Sequence, residues 1–355
     1  MKVFTVVGAR PQFIKAAVLS RALASADFPV EEVLVHTGQH YDSNMSDVFF
    51  EELSIPKPTY SLGLGGGTHG QNTGRMIEQL EALMLKEKPD WVLVYGDTDS
   101  TLAGAIAAVK LHIPIAHVEA GLRSYNRAMP EEINRLLTDH VSTVLFAPTG
   151  VAKANLLKEG IAEEKIEIVG DVMCDATEFY KSKAVKPAWF DALNINAGEY
   201  VLCTIHRAEN TDSEARLRAI LQGLEGSQQT IILPLHPRTR NKIKSLGVEV
   251  AGNIIIVEPV GYLEMNWLES NCTLIATDSG GVQKEAYFHG KHCVTLRDET
   301  EWVELVQSGV NTLVGASTDK IANAVRASTA SAFEQNLYGN GDAAGNIIKV
   351  LKGLA

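Results

Sequence analysis

The sequence predicts an α/β protein of two doubly wound domains facing one another across a central cleft. Three observations carry this expectation. Short apolar runs alternate with helically spaced ones along almost the whole chain. The runs fall into two series, separated by a less regular stretch at 171–199. The residues just past the runs are rich in Gly, Asp, Glu, His and Arg, and parallel α/β sheets present their ligands at the carboxyl ends of strands.

In the first series, KVFTVV (2–7), VLVH (33–36), WVLVY (91–95), PIAHV (114–118) and TVLFA (143–147) are strands buried on both faces. Between them Phe13, Ile14, Ala17 and Val18, then Met76, Ile77, Leu80, Leu83 and Met84, recur at helical spacing. Pro130 followed by Glu131 and Glu132 opens another helix, whose apolar face is predicted as Ile133, Leu136, Leu137, Val141 and Val144. In the second series YVLCTI (200–205), TIILPL (230–235), NIIIV (253–257) and TLIAT (273–277) are strands, with helices near 213–223, 262–270 and 280–288. The expected domains are 1–170 and 171–342, with the last helix, 343–354, returning to the first.

Composition excludes several function classes. The chain has 355 residues, 45% hydrophobic and 21% charged, enough for two cores. Its net charge is −11, and no Lys/Arg run is long enough to track a nucleic acid. No apolar run approaches membrane-spanning length. The start, MKVFTVVGARPQF, reads as a strand and a turn rather than a secretion signal, so a cytoplasmic protein is expected. Cys174, Cys203, Cys272 and Cys293 are scattered, which favours buried thiols over disulfides or a metal site.

The candidate site residues follow the strands. HVEAGLRSYNRAMPEEINR (117–135) sets Glu119 past one strand and Glu131 and Glu132 at a helix start, while VLVYGDTDS sets Asp97 past the neighbouring strand. Such a cluster suits acid–base work on a small substrate. GARPQFIK (8–15) offers Arg10 and Lys15 beside a helix N-terminus, which suits a diphosphate; the plainer alternative is a tight turn with exposed charges. Gln39 and His40, in HTGQHYD, can reach the same cleft. GLGGG with THGQNTG (63–74) reads as a flexible loop or lid.

In the second series HRAEN supplies His206 and Arg207, and HPRTR supplies His236. TDSGGVQKEA places Ser279, Gly280 and Gly281 at a strand-to-helix turn suited to phosphate, with Glu285 further along the helix to receive a ribose diol. A glycine-rich turn without ligand is the alternative reading.

Taken in order, GARPQFIK, TGQHYD, GDTDS, HVEAGLRS…PEEINR, HRAEN, HPR and TDSGGVQKEA resemble the non-hydrolysing UDP-N-acetylglucosamine 2-epimerases over nearly the whole chain. The resemblance implies a glycosyltransferase-B-type fold of two Rossmann-like domains, with UDP held mainly by the second. It implies interconversion of gluco and manno configurations at C2 of a UDP-sugar, with Asp97, Glu119, Glu131 and His206 at catalytic positions. Arg10, Lys15, Ser279, Gly280 and Glu285 match the UDP-sugar contacts. A homodimer and a part in surface-polysaccharide (O-antigen) synthesis are expected with it.

One departure is informative. The loop SYNRAMPEE is two residues shorter than the Ser-Pro-Trp-Pro-Glu-Glu loop of the principal UDP-GlcNAc enzymes and carries Arg127 and Met129. It looks like the relatives that act on UDP-2,3-diacetamido-2,3-dideoxyglucuronic acid, where an arginine could meet a C6 carboxylate.

The C2 proton of such a sugar is not next to a carbonyl. The expected route is therefore elimination of UDP to a 2-acetamidoglycal and re-addition, which needs no metal or redox cofactor. A glycosyltransferase of the same fold, or a hydrolysing epimerase releasing free N-acetylmannosamine, are the alternatives.

Overall fold

The computed structural model describes residues 1–39, 50–51, 54, 56–235, 237–247, 250–327 and 336–354; the side chains of Arg10 and Arg238 are outside that description. The chain forms two compact units, Met1–Ala176 with Asn336–Ala355, and Thr177–Gln335. The division falls inside the helix Val172–Lys181, a few residues beyond the expected boundary at 170. The reason is local. Asp171 N–H donates to the Tyr338 carbonyl, and Asp175 accepts from the N–H groups of Ala343 and Ala344, so the start of that helix and the chain end belong to one unit. The last helix, Ala343–Leu354, buries Ile347, Ile348 and Leu351 there.

The first unit holds a seven-stranded parallel sheet in the order β3-β2-β1-β4-β5-β6-β7. The strands are β1 (Lys2–Val7), β2 (Glu31–His36), β3 (Tyr60–Ser61), β4 (Trp91–Tyr95), β5 (Ile115–Val118), β6 (Val144–Ala147) and β7 (Ile166–Ile168). β1 pairs in register with β2 from Lys2–Glu31 to Val7–His36 and with β4 through Val3–Trp91. Phe4, Val6, Val33, Val35, Val92 and Val94 pack one sheet face against Met76, Leu80 and Met84 of the helix His69–Glu87.

The second unit holds a six-stranded parallel sheet, β10-β9-β8-β11-β12-β13. Its strands are β8 (Val201–Thr204), β9 (Ile231–Pro234), β10 (Ile254–Val257), β11 (Leu274–Thr277), β12 (Cys293–Thr295) and β13 (Asn311–Leu313). Separate apolar clusters cover its two faces, one around Val201, Cys203 and Leu233, the other around Leu202, Ile232 and Ile275. Both sheets have the doubly wound, Rossmann-like order, in which the strand order reverses at one point: between β1 and β4, and between β8 and β11.

Two expectations are corrected. The stretch 68–74 is not a loop. Thr68 caps the helix His69–Glu87, accepting the Gln71 N–H while Gln71 reaches back to the Thr68 N–H. This reciprocal cap starts the helix despite Gly70 and Gly74.

The helix Pro130–Val141 meets its expected apolar face only in part: Val141 packs against the sheet core and Leu136 is half-buried. The helix buries Glu132, Asn134, Arg135, Thr138 and Asp139, while Ile133 and Leu137 are 38% and 46% exposed. Polar bonds to the loops past β4 and β5 orient it, and Val144 belongs to β6. Cys203, Cys272 and Cys293 are buried free thiols; burial pushes those of Cys272 and Cys293 up to about 12. No helix among the described residues is long and apolar enough to cross a membrane.

Candidate active site

The point of reversal in the first sheet brings together three turns, past β1, β4 and β5. Gln12, in the helix Arg10–Ala24, is buried and fixes two of them. Its Oε1 accepts the N–H groups of Gly8 (2.8 Å) and Ala9 (3.1 Å), and its Nε2 donates to the Tyr95 carbonyl (2.8 Å). One turn of helix further on, the Lys15 ammonium pairs with the Glu119 carboxylate, and both side chains are buried. Glu119 has φ +71, and its N–H and that of Ala120 both donate to the Phe146 carbonyl at 3.1 Å. A non-glycine residue held in the left-handed region past a strand end is the kind of local strain that clusters at functional sites.

Gly96 lies directly against this ion pair. Its φ is +63, its N–H donates to the Val118 carbonyl, and a Cβ there would stand 3.2 Å from Glu119 Oε2 and 3.3 Å from Lys15 Nζ. Asp97 follows. It accepts from Arg135 Nη2 at 2.5 Å, and its backbone carbonyl accepts from Asn134 Nδ2 at 2.9 Å.

Arg135 also reaches Glu132 (2.8 Å), which accepts the N–H groups of Ser124 and Tyr125 as well. Burial alone would raise the Glu132 carboxyl, but the Ser124 N–H and Arg135 outweigh it and hold it below the usual carboxylate range. Glu132 is therefore a fastening carboxylate, whereas Glu131, beside it in the first turn, is exposed.

Gln39 Oε1 accepts from Ser100 N (3.0 Å) and Ser100 Oγ (2.7 Å), at the start of the helix Asp99–Lys110. His40 lies outside the described residues, as do His236 and the Arg10 side chain.

In the second sheet the turns past β8 and β11 flank the reversal. Asp278 is buried and accepts the N–H groups of His206 and Arg207 (both 3.1 Å) and Asn210 Nδ2 (3.1 Å). His206 Nδ1 stands 3.0 Å from Asp278 Oδ1, with its side chain 58% exposed. Burial would lift the Asp278 carboxyl, but His206 and Asn210 keep it below its ordinary value. An ionised Asp278 only accepts, so the ring carries its proton on Nδ1 and presents Nε2 outward.

Ser279 caps the helix Gly280–Phe288, with Oγ accepting from Val282 N. At Gly280 a Cβ would lie 2.4 Å from Glu301 Oε1, so a side chain there would displace that carboxylate. Gly281 is exposed, and Glu285 is buried in the helix's second turn. The first-turn N–H groups of a helix have no intrahelical acceptors and suit an anion.

Several site residues escaped the sequence reading: Gln12, Gly96, His117, Arg135 and Asp139 in the first unit, and Arg297, Glu301 and Trp302 in the second. Arg297 pairs with Glu301 at 2.8 Å, and Lys284 lies 4.2 Å over the Trp302 ring. The available signals were small: one histidine within the apolar run PIAHV, and the polar side of a helix taken to face water.

The Gly96 geometry gives a testable expectation. Gly96→Ala places a Cβ at positive φ beside a buried ion pair, and should lower unfolding free energy by about 1–3 kcal/mol. Gly74→Ala, in a helix with open space around it, should be neutral or stabilising. Urea denaturation of both variants checks this; equal stability of the two would refute the crowding at Gly96.

The comparisons with known proteins agree with one another. The family model for UDP-N-acetylglucosamine 2-epimerase matches residues 22–352. A UDP-2,3-diacetamido-2,3-dideoxy-D-glucuronate 2-epimerase of Pseudomonas aeruginosa is 53% identical, over 99% of each chain. A crystal structure of the Methanocaldococcus jannaschii UDP-GlcNAc 2-epimerase, in complex with UDP-GlcNAc and UDP, superimposes with a TM-score of 0.90 at 45% identity; the match covers 99% of this chain and 100% of that one. The Neisseria meningitidis UDP-GlcNAc 2-epimerase, bound to UDP-GlcNAc, gives 0.89 at 34% identity, covering 99% and 100%. The buried Glu119 past β5, the half-buried Asp97 past β4 and the Ser-Gly-Gly helix start thus stand in a chain that belongs to the non-hydrolysing UDP-N-acetylglucosamine 2-epimerase family.

Proposed function

We propose that the chain inverts C2 of a UDP-N-acetylhexosamine by expelling UDP to a 2-acetamidoglycal and adding it back. The observation that carries this reading is the pair of carboxylates at neighbouring strand ends, Glu119 and Asp97, each with its own cation, Lys15 and Arg135. A base removes the C2 proton, the C1–O bond breaks with its electrons leaving on UDP, and a C1=C2 double bond forms. In the return step UDP attacks C1 and C2 is protonated from the opposite face. An acid or base is needed on each face, which gives Asp97, Glu119 and Glu131 their parts.

The departing diphosphate needs donors and cations. His206, oriented by Asp278, serves there with Arg207 and the helix start at Ser279, Gly280 and Gly281, while Glu285 receives the ribose. Lys15, Gln39 and, on sequence grounds alone, Arg10, His40 and His236 complete the substrate contacts. The same reading makes this a cytoplasmic enzyme of surface-polysaccharide (O-antigen) synthesis; a deletion strain with unaltered polysaccharide would count against it.

Chemistry and nucleotide binding should separate by mutation. In deuterium oxide the recovered UDP-sugar should carry deuterium at C2. Asp97→Asn, Glu119→Gln and Glu131→Gln should each lower kcat by ~10²-fold or more while retaining UDP. Glu285→Ala should weaken UDP binding by about 1.5–3 kcal/mol in calorimetry. Epimer formed without C2 exchange would exclude the elimination route.

The preferred substrate is the UDP-2,3-diacetamido uronate, as the activity for which the Pseudomonas relative is named suggests. Arg127 is exposed in the shortened loop between β5 and the helix Pro130–Val141, available to a C6 carboxylate. Arg127→Ala should cut kcat/KM for the uronate by ~10-fold or more, the scale of one charge-assisted hydrogen bond, and spare UDP-GlcNAc. Preference for UDP-GlcNAc in both proteins would remove the argument.

A homodimer fits the apolar pair Ile133 and Leu137, one turn apart on the exposed side of their helix. Light scattering should give twice the chain mass for the wild type and one chain mass for Leu137→Glu. A monomeric wild type would end this proposal.

A further inference from the structure

His117 is fully buried in β5, the one polar side chain of Ile115–Val118. A buried imidazole is tolerated when both nitrogens have partners, and here both do. Nε2 lies 2.8 Å from the Gly96 carbonyl and Nδ1 lies 2.7 Å from Asp139 Oδ1. A carbonyl only accepts, so Nε2 donates to Gly96. Asp139 is fully buried. Burial would raise its carboxyl, but His117 and Arg123 outweigh this and keep it below its ordinary value. It is a carboxylate, and Nδ1 donates to it.

What these bonds fasten is specific. Gly96 is the residue before Asp97, and His117 is two residues before Glu119. The second oxygen of Asp139 accepts from Gly121 N (3.2 Å) and Arg123 Nη2 (2.7 Å), at the far end of the Glu119 loop. Arg135, one turn before Asp139 on the same helix, holds the Asp97 carboxylate. The turn past β4 and the loop past β5 are therefore fastened to one buried His–Asp pair.

We infer that His117 is a positioning residue for the epimerisation: through its bond to the Gly96 carbonyl, with Asp139 orienting the ring, it holds the turn of Asp97 in register with the loop of Glu119. The inference rests on the two-carboxylate elimination reading. In that reaction the two groups act in succession on one carbon. A small relative shift leaves proton removal at one face intact and spoils delivery at the other. The symptom is a change in how the glycal partitions, beyond a slower rate.

The test uses two substitutions that keep different halves of the ring. Asn places a donor near the Nδ1 position and keeps the bond to Asp139 while losing Gly96. Gln places one near Nε2 and keeps the bond to Gly96 while losing Asp139. Each full-length variant is assayed in deuterium oxide with the UDP-2,3-diacetamido uronate and, in parallel, with UDP-GlcNAc. The readouts are kcat, KM, melting temperature, and the ratio of C2 exchange plus released glycal to epimer.

His117→Asn should lower kcat by ~10²-fold, the scale of an ångström of misplacement. Its KM should change little and its ratio should shift toward exchange and glycal release. His117→Gln should keep a ratio near wild type even where its melting temperature falls further. A wild-type ratio in both variants, with activity lost only in proportion to stability, would overturn the inference. So would a shifted ratio in Gln alone, which would put the register on Asp139 and leave the Gly96 bond without effect, or failure of both to fold, which would make the ring a core element. Absence of C2 exchange in the wild type itself would instead defeat the elimination reading.

Discussion

A carboxylate cannot leave water alone, and that constraint shapes the first unit. Glu119 is 9% exposed and sits at positive φ, so neither its charge nor its backbone is at ease. Lys15 supplies the countercharge from the helix that follows β1. Removing one member of such a buried pair costs about 3–5 kcal/mol, because the other charge stays behind. The strand order decides who can provide it. β1 lies next to β4, and β4 next to β5, so a lysine early in the chain reaches a glutamate more than a hundred residues later. Gly96 follows from the same constraint, since a side chain there would be strained at positive φ and would press on the ion pair.

The helix Pro130–Val141 shows the constraint at a larger scale. An amphipathic helix normally buries its apolar stripe, and here hydrogen-bonding demand reverses the choice. The turns past β4 and β5 expose carbonyls, N–H groups and a carboxylate toward it, and unpaired groups there would cost about 1–3 kcal/mol each. Asn134, Arg135 and Asp139 meet them, so the polar face goes inward and Ile133 and Leu137 outward. Fold and chemistry are thus fixed by the same bonds.

This explains what could be read from residues alone. Long apolar runs announced β1, β2, β4, β5 and β6, and their counterparts β8–β11, because a parallel strand buried on both faces leaves a continuous signature. β3, β7, β12 and β13 have two or three residues each, too few for any pattern. The first turns of the helix beginning at His69 were hidden by its glycines, and its reciprocal cap outweighs them, while its later apolar spacing was plain. At the site, Asp97, Glu119, His206 and the Ser-Gly-Gly turn stood out as unusual residues past strands. Gln12, His117 and Asp139 did not, because their importance lies largely in partners 16 to 89 residues away. Periodicity sees a residue's neighbours in the chain, and a buried hydrogen-bond network is made of neighbours in space.

The two sheets solve one local problem in different ways. In each, the turn after the central strand points two successive N–H groups at a buried side-chain oxygen. In the first unit that oxygen belongs to the neutral amide of Gln12, bonded to Gly8 and Ala9. In the second it belongs to the anion Asp278, bonded to His206 and Arg207. A neutral cradle leaves the first turn electrostatically open, so its charge comes from Lys15. An anionic cradle holds the second turn more firmly, since charge-assisted bonds are the stronger ones, but it sets a negative charge beneath a helix start suited to phosphate. The His206 ring stands over that charge with Nδ1 bound to it, and Arg207 begins the next step of the turn. On the function proposed above, a diphosphate at this helix start would meet its N–H groups with the aspartate's charge already satisfied by His206 and Asn210.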